Sequence, residues 1–414
     1  MPPKILPYNR DFIEKLTEKY PTPFYLYNES TLRRQARLFN ESFAWNNGFK
    51  EYFAVKANPN PEILKILKNE NCGGDCSSLP ELLLCQRTGM LGENIMFTSN
   101  NTPADELIKA KELGAIINLD DLTHIDFLEH CAGLPELLSF RWNPGPLRDV
   151  ESVIGNPVEA KYGLTTEQIY EAFAAVKKKD VNRFGLHTMI ASNLLDENFF
   201  VQTSKMLFEL ALNIERKTSV RIEFVNLGGG FGIAYNPAQE DLNLRKVGAM
   251  IAEEHDRSIA KSNLAGLKIF TESGRFIAAE AGVLITRVIH RKNTYKHYIG
   301  VDACMANLMR PGMYGAYHHI TVLGKENGNS DCETIDITGS LCENCDKFAV
   351  NRKLPKIEIG DLLAIHDAGA HGYAMGFQYN GKLRCAELLL RENGTIDLIR
   401  RAETVDDYFA TLTF

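Results

Sequence analysis

The chain has 414 residues, 24% of them charged, and a formal net charge of −7. That length supports a large core and more than one domain, and an acidic balance with no basic block beyond "VKKKD" or "HRKNTYKH" argues against a nucleic-acid partner. The start, "MPPKILPYNRDFIEKL", lacks an apolar signal core and no apolar run is long enough to span a bilayer, so a cytoplasmic protein with no membrane contact is expected. In chain order, "TPFYLYNES" reads as a strand ahead of a helix opened by Asn28, Glu29 and Ser30. From about residue 50 to 275, short apolar runs then alternate with helical stretches. The runs are "EYFAVKAN", "GGDCSS", "NIMFTSN", "AIINLDD", "LLSFRWNPG", "RFGLHTMIAS", "RIEFVNLGGG" and "LKIFTESGR". Between them apolar residues recur near three and four, as at Ile169, Phe173 and Val176.

Eight strands alternating with helices over about 250 residues is the count of a (β/α)8 barrel, with a doubly wound open sheet as the alternative. After Gly282 the period falls to two around Gly, Asn and Asp turns, in segments such as "GVLITRVIHRKNTYKHYIGVDA", "CETIDITGS" and "LRCAELLLRENGTIDLIRRAE". That predicts an all-β domain, with which the N-terminal strand is expected to pair. The boundaries expected are 29–283 for the barrel, and 1–28 with 284–414 for the β domain.

Nine cysteines, an odd number scattered along the chain, do not form the framework of a secreted disulfide scaffold. Cys72 with Cys76 and Cys342 with Cys345 could build a four-cysteine zinc site. The first spacing is loose and no His-rich stretch follows, so reduced, mostly buried thiols and no metal are expected.

Functional residues of such a barrel lie at the C-terminal ends of its strands. Lys56 ends the first, among Phe53, Ala54, Val55 and Ala57. An ammonium there either snorkels to water or is held where its pKa falls and it becomes a nucleophile. Gly228, Gly229 and Gly230 in "LGGGFG" end the seventh. Consecutive glycines let the backbone approach a ligand and aim N–H groups at an anion, commonly a phosphate; a flexible turn is the plain alternative. Glu272 and Arg275 bracket the tight turn "ESGR" after the eighth. A surface salt bridge there would mean little, but the carboxylate could hold a protonated ring nitrogen. An amine, a phosphate-type loop and an acid together point to pyridoxal 5'-phosphate.

"YFAVKANPNPEILKIL", "NLGGGFGI", "ESGR" and "GSLCENCDKF" resemble the alanine-racemase-fold pyridoxal-phosphate decarboxylases. The resemblance runs from "TPFYLYNESTL" to "YNGKLRCAELLL", and within that family the chain is most similar to members acting on diaminopimelate. It implies a (β/α)8 barrel with a C-terminal β-sandwich-like domain that includes the N-terminal strand. It also implies decarboxylation of meso-2,6-diaminopimelate to L-lysine and CO2. By position, Lys56 would carry the cofactor, Gly228, Gly229 and Gly230 its phosphate, and Glu272 the pyridine nitrogen. Gly274 belongs to the same cofactor turn, and Arg275 would meet phosphate or substrate carboxylate. Arg310 and Tyr314, in "NLMRPGMYGAYH", would bind the far end of the substrate. Cys342 resembles the proton donor, Glu343 the residue for the distal ammonium, and Tyr379, in "FQYNGK", the tyrosine that touches phosphate and substrate. The resemblance implies a homodimer with shared sites, Cys342 and Glu343 reaching across.

These residue types suit the chemistry. A carboxylate keeps a ring nitrogen protonated, a thiol with a pKa of about 8 can protonate one face of a carbon, and a planar guanidinium suits a carboxylate. Some positions depart from the family. Ser273 stands where proline is frequent, which is expected to alter only turn rigidity. Met189, in "LHTMIAS", stands where many relatives have a histidine that stacks on the cofactor; it can pack on an aromatic face but lacks the charge. His187 reads as a satisfied core histidine, and the role of His371 is open. Asp75 and Glu81 either support Lys56 and its phosphate side or serve as turn and helix-start residues.

Three other readings compete. A decarboxylase of ornithine, arginine or a carboxylated polyamine such as carboxynorspermidine needs an acid for the distal amine but no arginine for a distal carboxylate. A racemase needs two bases on opposite faces and leaves "CENCD" unexplained. A non-catalytic cofactor-binding protein would be expected to lose Lys56 or Cys342, and both are present.

Overall fold

In the computed structural model, which describes residues 4–147, 156–179, 181–325 and 332–414, the alternating segment closes on itself. The first strand, β1 (Phe24–Asn28), belongs to another sheet. Eight strands then follow in order: β2 (Lys50–Ala54), β3 (Gly73–Cys76), β4 (Ile95–Thr98), β5 (Ile116–Leu119), β6 (Leu137–Trp142), β7 (Arg183–Thr188), β8 (Ile222–Asn226) and β9 (Lys268–Thr271). Each pairs in parallel with the next, and β2 pairs with β9 through Lys50↔Phe270 and Glu51↔Thr271. That last pairing excludes the open sheet. Strands covered on both faces need continuous apolar runs, and their residues are almost all buried. Tyr52, Met96, Ile116, Leu137, Phe224 and Phe270 form one cluster drawn from six of the strands. Gly185 is bare because the Phe224 ring fills the space beside it; a Cβ there would lie 2.0 Å from that ring.

Short caps fix where the intervening helices begin. Asn60 accepts the Glu62 N–H at 3.0 Å to open Pro61–Asn69, and Thr165 with Gln168 forms a capping box ahead of Thr166–Val176. The barrel unit comprises Arg33–Ile233 and Asp241–Ile277.

The second unit comprises Met1–Leu32, Ala234–Glu240 and Ala278–Phe414. Its remaining strands are β10 (Gly282–Asn293), β11 (His297–Val301), β12 (Ile320–Val322), β13 (Cys332–Thr338), β14 (Lys347–Pro355), β15 (Leu362–Ile365), β16 (Ala386–Leu390) and β17 (Ile396–Arg400). The sheet runs β14-β13-β11-β10-β1-β16-β17, with β15 on β10 and β12 on β15. The N-terminal strand does pair here, antiparallel to β10 and parallel to β16. Phe24, Leu26, Val283, Ile285, Leu362 and Leu388 build its core. A helix not anticipated from the sequence, Arg10–Lys19, is capped by Asn9 and sends Ile13 into that core.

No helix among the described residues is long and apolar enough to cross a membrane. None of the nine cysteines is in a disulfide; Cys72, Cys76, Cys85, Cys304 and Cys385 are buried, while Cys332, Cys342 and Cys345 are exposed.

Candidate active site

The strand β2 ends at Ala54, and Lys56 sits on the single 3-10 turn Val55–Ala57 that follows it. The turn is held by the Asn58 N–H to Val55 O at 3.1 Å and then by the Asn60 helix cap. The Lys56 side chain is 52% exposed, with its Nζ 3.5 Å from Oδ2 of buried Asp75 at the end of β3. Burial pulls the ammonium pKa down, but the carboxylates of Asp75, Glu272 and Glu81 outweigh it and hold the pKa above the ordinary lysine value. The protein by itself therefore keeps this amine charged rather than lowering its pKa. The Asp75 pKa is raised as well: burial first, then the Glu272 charge, push its carboxyl well above the usual range. Glu81, in the first turn of the helix Leu79–Arg87, accepts the Ser77 N–H at 2.7 Å, and its charge also acts on Lys56.

Glu272 follows β9 and is buried. Its Oε2 lies 3.0 Å from Nε2 of His187 on β7, and its Oε1 accepts from Nδ2 of Asn226 on β8 at 2.8 Å. Burial alone would raise this carboxyl; the charge and hydrogen bond of His187, with Lys56 and Arg141, bring it below its ordinary value. His187 thus lines the same cavity as Lys56, and its buried Nδ1 has no hydrogen-bond partner among the described residues. Asp75 Oδ1 is likewise buried and without a hydrogen-bond partner among the described residues. Lys56, Asp75, His187, Met189, Glu272 and Arg141 line one cavity of about 310 Å³.

The glycine loop after β8 is shaped by close approach. Gly228 and Gly230 have φ of 67° and 95°, and a Cβ on Gly228, Gly229 or Gly230 would lie 2.4 to 2.5 Å from Thr188 O, Glu272 O and the Ala191 Cβ respectively. Two of its donors are already used: Gly228 N–H bonds Asn226 Oδ1 at 2.8 Å, and Gly229 N–H meets the Met189 sulfur at 3.2 Å. Gly274 serves packing too, since a Cβ there would lie 2.5 Å from the Cβ of Ala57, on the Lys56 turn. Arg275 is half-buried and opens the one-turn helix Arg275–Ala278.

The sequence reading missed Arg141, whose Nε lies 2.8 Å from Asp120 Oδ1 and whose guanidinium stacks 4.8 Å over the Tyr162 ring. Asn226 was missed as well. The signal was available: Arg141 is the penultimate residue of β6 and Asn226 ends β8, near the same strand ends that singled out Lys56.

The remaining expected residues lie in the second unit. Cys342 donates to Tyr379 Oη at 3.2 Å, and its N–H bonds Asn380 Oδ1 at 2.9 Å. The hydrogen bond to Cys342 and the charges of Cys342 and Glu343 push Tyr379 up to about 12. Cys342, Glu343 and Tyr379 are all exposed in the single chain. Buried Asp346 holds their turn, accepting from Leu341 N at 2.8 Å and Met305 N at 2.6 Å. Arg310 is buried, 2.9 Å from His318 Nε2 and stacked 4.6 Å over Tyr235, while Tyr314 at the end of its helix is exposed. His371 adopts a left-handed backbone, φ 54°.

A charged amine, an ionised buried carboxylate and two orphaned polar atoms around one cavity fit a group with an aldehyde and a ring nitrogen. Residues 29–279 match the family described as "Pyridoxal-dependent decarboxylase, pyridoxal binding domain", and the chain belongs to the pyridoxal-dependent decarboxylases. Its cofactor is pyridoxal phosphate. Among its relatives, Protein TabA of Pseudomonas amygdali pv. tabaci is 40% identical, matching 96% of this chain and 92% of that protein. Diaminopimelate decarboxylase of Methanothermobacter thermautotrophicus is 34% identical over 95% of this chain and 92% of that one. The structure of diaminopimelate decarboxylase from M. jannaschii in co-complex with L-lysine superposes with a TM-score of 0.90 at 31% identity, covering 97% of this chain and 94% of that chain.

Proposed function

We propose that this chain decarboxylates meso-2,6-diaminopimelate to L-lysine and carbon dioxide, as a cytoplasmic homodimer with shared sites. The observation that carries the reading is the Lys56 amine and the Glu272 carboxylate on one cavity wall, each held by buried partners. The names of the relatives support the substrate. Lys56 would hold the cofactor covalently, Glu272 would face its ring nitrogen, and Gly228, Gly229 and Gly230 with Arg275 would meet its phosphate. When bound, pyridoxal phosphate supplies an electron sink. Glu272 is suited to its part because it stays ionised, and His187 and Asn226 fix both its oxygens. Cys342 would deliver a proton from Sγ, oriented by Tyr379, and Glu343 would receive the distal ammonium. Free cysteines suit a reducing compartment. The exposure of Cys342, Glu343 and Tyr379 supports a second chain, since such chemistry works best with water excluded.

The test is CO2 release by purified protein with added pyridoxal phosphate over diaminopimelate, lysine, ornithine and arginine, with diaminopimelate expected to be turned over fastest. One observation favours a second reading, another basic amino acid as substrate: Arg310 is buried on Tyr235 and His318, a use that needs no substrate carboxylate. If Arg310 does clamp that carboxylate, Arg310→Met should cost on the order of 2–5 kcal/mol in kcat/KM for diaminopimelate and little for ornithine. Arg310→Lys should also be impaired, because the planar fork is lost. An equal fall for both substrates would assign Arg310 to structure.

A further inference from the structure

The closure of the barrel brings a buried acid against the Glu272 turn that none of these roles uses. Glu51 faces Thr271 across the β2–β9 pairing and is fully buried. Its Oε1 accepts the Ser273 N–H at 2.6 Å, and its other oxygen accepts the Thr271 hydroxyl. Those two residues flank Glu272. We propose that Glu51 is a positioning residue that splints the turn carrying Glu272 and so fixes how that carboxylate meets the cofactor; this rests on the role of Glu272 given above.

A residue just past a strand end can pivot about its two flanking peptides. Glu51 ties both sides of Glu272 to the opposite strand, while His187 and Asn226 tie its carboxylate. Main chain and side chain are then fixed independently. Ser273 acquires a reason as well. A proline at this place has no N–H to donate, whereas the serine N–H is the group Glu51 holds, so the rigidity expected to be lost with serine is restored by a hydrogen bond. Burial, and then the nearby Glu272 and Asp75 charges, push the Glu51 carboxyl well above the usual range against the pull of its two hydrogen bonds.

The experiment titrates the full-length protein, stripped of cofactor, with pyridoxal phosphate, following absorbance, melting temperature and steady-state kinetics. Glu51→Leu should weaken pyridoxal-phosphate binding by about tenfold or more, shift the absorption of the bound cofactor, and lower kcat more than it raises KM, as displaced catalytic groups do. Glu51→Gln should stay within about threefold of wild type, because its amide can accept from Ser273 and donate to Thr271. Thr271→Val removes one of the two bonds without changing volume; it should fall between them, and it keeps the test open if Glu51→Leu does not fold. If Glu51→Leu and Thr271→Val lower only the melting temperature, leaving affinity and spectrum unchanged, the splint is overturned. It is also overturned if Glu51→Gln is as damaged as Glu51→Leu, which would make charge the operative property. Glu272→Gln in the same titration separates the two levels: wild-type affinity and spectrum there would remove the underlying role of Glu272, whereas an impaired Glu272→Gln beside a normal Glu51→Leu would remove the splint alone.

Discussion

The two ends of the barrel strands are built from similar residues to opposite effect. At the beginnings of β7, β8 and β9, Arg183, Glu223 and Lys268 form a partly exposed network, Arg183 Nη2 and Lys268 Nζ each 2.8 Å from Glu223 Oε1. At the far ends Lys56, Asp75, Arg141, His187 and Glu272 place a comparable density of charge and polarity around a cavity, with most of these groups buried and two polar atoms, Asp75 Oδ1 and His187 Nδ1, without a hydrogen-bond partner among the described residues. One end satisfies its charges in solvent, where each pair contributes little and salt screens it. The other leaves donors and acceptors poised, at a cost in stability that only a bound partner would offset. Charge density alone therefore does not locate function in this fold.

That contrast can be broken at several points. The largest effect belongs to Lys56→Ala, which should abolish decarboxylation, by about a thousandfold or more, through loss of the nucleophilic amine. In wild type, borohydride should fix the cofactor to the peptide containing Lys56, and mass spectrometry finding it on another lysine would undo the assignment. Mixing Lys56→Ala with Cys342→Ala subunits should restore about a quarter of the sites under random exchange; no recovery despite proven exchange would place the whole site within one chain. Glu272→Gln should lower kcat by roughly a hundredfold, the scale of losing one preorganised electrostatic group. Smallest is Glu223→Gln at the opposite end, with activity unchanged. The Glu223 pKa is lowered to about 2 by its hydrogen bond to Arg183 and, against burial, by Lys268. Because its folded-state pKa is depressed, its contribution is complete above the unfolded value near 4.5 and is lost as pH falls toward 2. Urea unfolding from pH 7 to pH 2 should show the variant less stable at neutral pH by under about 1 kcal/mol, given its exposure, with the gap closing in acid. A gap that widened in acid would contradict the sign.

The barrel was legible because its strands are short apolar runs, each followed by a helix of clear period, and the same rule pointed to Lys56 and Glu272. The edge strand β14 escaped notice. "KFAVNRKLP" is only partly buried and its pairing with β13 shifts register, so no strict alternation survives in the sequence. Glu51 escaped for a different reason. Its partner Thr271 is 220 residues away, and nothing local distinguishes an acid facing a strand neighbour from an acid facing water. Ser273 looked like a loosened turn for the same reason, since the group that tightens it lies on the first strand. Cys342, Glu343 and Tyr379 were found through motif resemblance alone, and their exposure in one chain could not be read from "CENCD".

The meeting of β2 with β9 also sets a timetable. Glu51 leaves the ribosome long before Thr271, and at 5–20 residues per second roughly ten to forty seconds separate them. Throughout that interval the nascent chain carries the Lys56 amine and the early strands but neither the Glu272 turn nor the seam that closes the barrel. The cavity that Lys56 and Glu272 line together is therefore completed late in synthesis, and a truncated product ending before Lys268 would carry Lys56 without the Glu272 turn.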